Sequence, residues 1–129
     1  MEKKIINPWE WQNQRSYVQA VEVKHAASTL YISGQTAIND EGESSKADMK
    51  TQLSEAIQNL EKVINESGYD PANIVRLNVY TTSTEELLTC FDVFQKWITK
   101  HGIQQTTTVL EVKGLFETLK VELEATLVK

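Results

Sequence analysis

Two apolar stripes of helical period, held apart by a short alternating run, constrain this chain most. From Ala47 to Ser67, Met49, Leu53, Ala56, Ile57, Leu60, Val63 and Ile64 recur at three- and four-residue steps, which puts them on one helical face. Gly68 suits the left-handed position beyond that helix, and Pro71 prevents its continuation. The second stripe is Leu87, Leu88, Phe91, Phe94, Trp97 and Ile98. It follows Ser83-Thr84-Glu85-Glu86, whose capping-box spacing predicts one helix from there to Gly102. Between the stripes, Ile74 to Thr81 has strand character. Each helix must bury its stripe on a partner layer, and strands are the available partner.

The flanking segments supply those strands. Lys3 to Asn7 is a first strand; Tyr17 to Lys24 alternates; Thr29 to Ala37 is rich in strand formers and ends at the turn residues Asn39-Asp40-Glu41-Gly42. These three read as a hairpin or meander. The tail Thr106 to Val128 reads as a closing strand pair, in which Val121, Leu123 and Ala125 share one face and Glu122, Glu124 and Thr126 the other. The expected order is β-β-β-α-β-α-β-β, an α+β fold with two helices on one face of a mixed sheet. Strands joined through a whole helix are most simply parallel. The other face of the sheet then needs a cover.

With 129 residues the chain is expected to form one domain, residues 1–129, burying very roughly two thirds of its unfolded surface. One cysteine, Cys90, excludes an internal disulfide and favours a reducing cytoplasm. No CxxC or His/Cys cluster offers a metal site, and none is expected. The N-terminus lacks the apolar core of a signal peptide, and no window reaches the roughly 18 to 20 apolar residues that span a bilayer, so a soluble chain without a membrane partner is expected. Net charge is −5, from 18 acidic and 13 basic residues without a run of either basic type. Nucleic acid binding draws on clustered cations, so this balance argues against it.

Tyr17-Val18-Gln19-Ala20 and Leu30-Tyr31-Ile32-Ser33-Gly34-Gln35, taken in order, resemble the G-P-Y-x-Q-A entry and the I-x-x-S-G-Q strand of the Rid (YjgF, reactive intermediate deaminase) family. Val112, Leu115 and Val121-Glu122-Leu123-Glu124-Ala125 fit its closing pattern, Arg-x-x-V-x-V-x-x-L-P followed by V-E-I-E-A. The resemblance implies the fold shared with one chorismate mutase class and a homotrimer whose sheets pack around a threefold axis. It also implies hydrolysis of 2-imino or 2-enamino acids to 2-keto acids and ammonia, in clefts between subunits and without a cofactor.

This chain departs from the family's pattern at the cleft. Thr107 stands where the family's arginine clamps a substrate carboxylate, and no other arginine lies in that segment. Phe91 replaces a frequent asparagine, Phe116 a proline, and Arg15-Ser16 the glycine and proline before Tyr17. A hydrogen bond to an ion is worth about 1.5–3 kcal/mol against about 1 for a neutral pair, so losing a bidentate ionic clamp costs roughly tenfold to a thousandfold. Arg15 and Arg76 are the two cations whose position leaves open a substitute role, against a solvated loop side chain and a sheet ion pair respectively.

The resemblance makes Tyr17, Ser33, Gly34, Phe91, Thr107 and Glu122 the candidate ligand-binding residues, with Glu122 as the catalytic candidate that orients a water. Each has a plainer role beside it: an interface aromatic for Tyr17, a strand bend for Ser33 and Gly34, helix core for Phe91, a solvated acid for Glu122. Glu124 is a further acid on the same face. Trp9 and Trp11 either wall the cleft or pack the chain end onto the domain. His25 and His101, each beside a turn, read as solvated, and Cys90 as structural. The expected function is a Rid-like homotrimer binding a small metabolite between subunits without standard 2-imino acid deaminase activity. Two alternatives stand beside it: an enamine or imine hydrolase using Glu122 and bound water, and a non-catalytic regulatory interaction module.

Overall fold

The computed structural model describes residues 1–129. Its elements are β1 (Glu2–Ile6), β2 (Ala20–Lys24), β3 (Thr29–Gln35), α1 (Met49–Glu66), a 3-10 turn (Pro71–Asn73), β4 (Ile74–Thr81), α2 (Thr84–Thr89), α3 (Phe91–His101), β5 (Val109–Glu111) and β6 (Val121–Val128). This is an α+β fold with a mixed sheet, as the alternation of periods implies.

Helix α1 begins where Asp48 accepts the Thr51 N–H at 2.9 Å. It ends in a Schellman pair, Tyr69 N–H to the Ile64 carbonyl and Gly68 N–H to that of Asn65, with Gly68 at φ 74°. The expected stripe is buried except Val63, which is half-buried. Gln52 lies on the same face and is completely buried. Its Nε2 donates to the carbonyls of Ala47 (3.1 Å) and Thr118 (3.2 Å), and its Oε1 accepts the Lys120 N–H at 2.8 Å. One amide thus ties the start of α1 to the loop that feeds β6.

The single helix expected from Ser83 to Gly102 is instead two, broken at Cys90 (φ −128°, ψ 17°). The cause is local: Thr89 Oγ1 donates to the Glu86 carbonyl at 2.6 Å, and Cys90 Sγ approaches that of Leu87 at 3.5 Å. Side chains that bond back to the preceding turn compete with the helical ladder. Only half of the expected capping box forms. Ser83 accepts the Glu86 N–H, but the Ser83 N–H goes to Thr81 Oγ1, and the Glu86 carboxylate turns to Lys120. The break also corrects the expected stripe, because Leu88 is 69% exposed and Phe91 only half-buried.

The main sheet has the order β3-β6-β4-β5. β4 and β5, joined through α2 and α3, are parallel; β6 is antiparallel to both β3 and β4. β3 and β4 run the same way with β6 inserted between them, so the connection through α1 does not make neighbours. The expected meander is corrected: β1 and β2 form a separate antiparallel ribbon, Glu2 opposite Lys24 to Ile6 opposite Ala20, and β3 pairs with β6. Val121, Leu123, Ala125 and Leu127 of β6 are buried beneath the helices, as the alternation predicts. Both stripes enter one core of 20 buried residues. No helix is long and apolar enough to cross a membrane.

Candidate functional site

A concavity of about 630 Å3 lies where the loop before β2 meets α2, α3 and the start of β5. Tyr17, Phe91 and Thr107, three of the expected ligand-binding residues, line it together. So does Arg15, whose guanidinium sits 5.1 Å from the centre of the Trp11 ring. Leu87, Leu88 and Val109 supply apolar wall, Leu88 and Phe91 being available because of the Cys90 break.

Local hydrogen bonding explains how the loop comes to line this space. Gln105 is completely buried, and its Nε2 donates to the Ser16 carbonyl and to Thr107 Oγ1, both at 2.9 Å. The Val18 N–H donates to the Gln105 carbonyl at 2.9 Å. Ser16 adopts φ 61°, in the left-handed region, so Arg15 and Tyr17 both border the cavity. A proline, locked near φ −65°, cannot take that conformation. Gln105 is therefore the residue that builds this half of the site. Nothing in the run Gln104-Gln105-Thr106-Thr107-Thr108 marks one glutamine over the other.

Ser33, Gly34 and Glu122 lie elsewhere, on the sheet face turned away from the helices. β3 bulges between Ile32 and Gln35, and Glu122 lies over the bulge: a Cβ on Gly34 would fall 2.5 Å from Glu122 Cδ. The Glu122 carboxyl is pushed above its usual range, first by partial burial and then by the neighbouring Glu124 charge. Glu124 is held by Tyr80 Oη at 2.9 Å and Asn78 Nδ2 at 3.2 Å, and this bond raises the Tyr80 phenol. Within one chain, β4 separates β6 from β5, so the two groups of candidates do not meet.

The remaining candidates resolve individually. Arg76 makes no ion pair, contrary to its expected plain role; it borders a hollow of about 120 Å3 with Tyr31, Asn78 and Glu124. Trp9 and Trp11 stack with centroids 5.6 Å apart and stay about half exposed. His25, at φ 58°, is exposed. His101 is not a freely solvated side chain. Its Nε2 stands 3.1 Å from Glu61 Oε1, outside hydrogen-bond geometry, and the Trp97 indole N–H donates to the same oxygen. Cys90 is buried, and burial pushes its thiol up, as expected of a structural side chain. Phe116 is 66% exposed and does not line the cavity.

Comparison with known proteins bears on the family and the fold. The sequence model of the family described as Endoribonuclease L-PSP matches residues 10–129. A RutC family protein of Aquifex aeolicus is 28% identical over 113 residues, 88% of each chain. A solved structure of a conserved Rid family protein, YyfB of Yersinia pestis, covers 100% of both chains at a TM-score of 0.87 and 27% identity. TdcF of E. coli, solved with bound serine, aligns over 88% of this chain and 87% of its own at a TM-score of 0.72 and 25% identity. By fold and by sequence, this chain belongs to the Rid (YjgF, L-PSP) family.

Proposed function

We propose that this chain forms a homotrimer that binds a small metabolite in three clefts between subunits, and that it lacks the standard 2-imino acid deaminase activity. In this reading it belongs to the subgroup of the Rid family without the arginine. The observation that carries the reading is the state of Thr107. Its hydroxyl accepts a bond from Gln105, it carries no charge, and Phe91 stands beside it in the cavity wall. A neutral, already engaged hydroxyl cannot clamp a carboxylate in two-pronged fashion.

The division of the candidates into two groups supports the assembly. Tyr17, Phe91 and Thr107 form one wall, while Ser33, Gly34 and Glu122 occupy the opposite sheet face, where Tyr31 is 79% exposed. A second copy facing the first joins the two groups. The serine-bound TdcF structure supports a ligand of amino-acid size. The reading takes residues 1–129 as one domain acting in the cytoplasm without cofactor, nucleic acid or membrane partner.

A second reading, hydrolysis of an enamine or other C=N compound, draws support from Glu122. A carboxyl raised by burial exchanges protons nearer neutrality than a solvated one. The test combines sedimentation of the purified chain with ammonia release from imines generated enzymatically from serine and other amino acids. A trimer with no rate above buffer is expected. Ammonia release at the pace of arginine-bearing relatives refutes the leading reading, and slow release abolished by Glu122→Gln favours the second.

A further inference from the structure

Within one chain, the cavity beside Thr107 has one charged residue in its wall. Of its 12 lining residues only Arg15 carries a formal charge, and no carboxylate is among them. Arg15 is absent from every ion pair of the chain, although 18 acidic residues give a net charge of −5. Its guanidinium lies over the Trp11 ring, and Trp11 in turn stacks on Trp9. An aromatic face orients a guanidinium and leaves its N–H edge unused for an incoming anion.

The backbone fixes that placement. Ser16 holds φ 61° and its carbonyl is gripped by buried Gln105, so Arg15 is set on the same loop turn that brings Tyr17 to the cavity. The opposite wall is apolar, from Leu87, Leu88, Phe91 and Val109. A volume of about 630 Å3 exceeds the needs of a three-carbon amino acid.

We infer that Arg15 is the specificity-determining residue of this cavity, and that the ligand is a carboxylate bearing a bulky apolar group. The inference deepens the proposed function and rests on its cleft. The carboxylate lies on the Arg15 guanidinium, and the apolar body lies against Leu87, Leu88 and Phe91. The anchor comes from the loop before β2 and not from the position of Thr107. The acid is therefore held at a different point from that of an arginine-bearing relative, and its binding does not imply imine hydrolysis.

Calorimetric titration of the full chain with phenylacetate and its neutral analogue phenylacetamide tests the inference. Phenylacetate is expected to bind at least about tenfold more tightly, the difference shrinking with added salt. Arg15→Gln is expected to remove that difference while leaving phenylacetamide unchanged; Arg15→Lys retains part of it; Phe91→Ala weakens both probes alike. Equal affinities in the wild type, or an unchanged phenylacetate Kd in Arg15→Gln, overturn the role of Arg15 and leave the cleft standing. Failure of both probes to bind overturns the inference and counts against the cleft itself.

Discussion

Gly34 and Glu122 occupy one space: the Glu122 side chain crosses the β3 bulge where a Cβ on Gly34 would lie 2.5 Å from its Cδ and 2.6 Å from its Oε1. The glycine is not needed for its φ, which lies outside the left-handed region. It is needed for the absence of a side chain. Gly34→Ala is therefore expected to fold but to swing Glu122 off β3 into solvent. The carboxyl should then titrate closer to an ordinary glutamate. NMR titration of Glu122 in the two proteins measures this, and an unaltered pKa in Gly34→Ala contradicts the relationship.

Restoring a cation at the centre of the cavity should change its chemistry. Thr107→Arg removes one acceptor of Gln105, whose Nε2 keeps the Ser16 carbonyl, so a loss of only about 1 kcal/mol of stability is expected. Phe91 lines the cavity and Phe116 does not. The double variant Thr107→Arg, Phe91→Asn should thus release ammonia from imino acids faster than Thr107→Arg alone, whereas adding Phe116→Pro should contribute little. Ammonia-release rates of the three variants rank them.

Gln52 is the polar keystone between α1 and the loop before β6. Gln52→Ala leaves the Lys120 N–H and the Thr118 carbonyl without this partner, at a cost of about 2–3 kcal/mol. A loss of that size lowers Tm by roughly 5–12 °C. Because Lys120 lies two residues before Glu122, ligand affinity should fall too. Differential scanning calorimetry and a binding titration give the two readings. A Tm within about 2 °C of wild type is incompatible with this account.

Ser16→Pro tests the loop. Proline requires φ near −65° and Ser16 holds 61°, so the substitution must rebuild the turn that carries Arg15 and Tyr17. Ser16→Gly, which tolerates positive φ, is expected to keep ligand affinity and to gain a few tenths to about 1 kcal/mol of stability. If Ser16→Pro retains wild-type affinity, the loop does not act through this backbone conformation.

Two carboxyls act oppositely on the acid limb of stability. The Asp48 carboxyl is held below its usual range by the Thr51 N–H. Its stabilisation is complete above the ordinary aspartate pKa and is lost as pH falls through the lowered folded value. Glu122 is raised, so its ionisation weighs against the folded state. That penalty is absent below the ordinary glutamate pKa and complete once pH has risen through the raised folded value. Asp48→Asn, which keeps a cap, should flatten the acid limb, and Glu122→Gln should raise stability at neutral pH. Urea midpoints across pH 3 to about 7 measure both.

Much of the architecture was legible in the chain because it depends on period. The stripe Met49 to Ile64 and the alternation Val121 to Ala125 assign a buried face to α1 and β6 from spacing alone, and with them the outward direction of Glu122 and Glu124. Gly68 and Pro71 end α1 through backbone conformations that few other residues share. The candidate pair Tyr17 and Thr107 was legible only through resemblance, since nothing in their own surroundings marks them.

What the tertiary structure alone decided is where polar groups found partners. The break at Cys90 arises because Thr89 bonds back to Glu86, and it leaves Leu88 exposed and Phe91 at the core's edge, both in the cavity wall. Arg15 reaches that cavity because buried Gln105 grips the Ser16 carbonyl from 89 residues away in sequence. Apolar burial follows a repeat that can be counted along the chain. A buried amide has a few directional bonds to place, and its partners are chosen only when distant segments are already side by side.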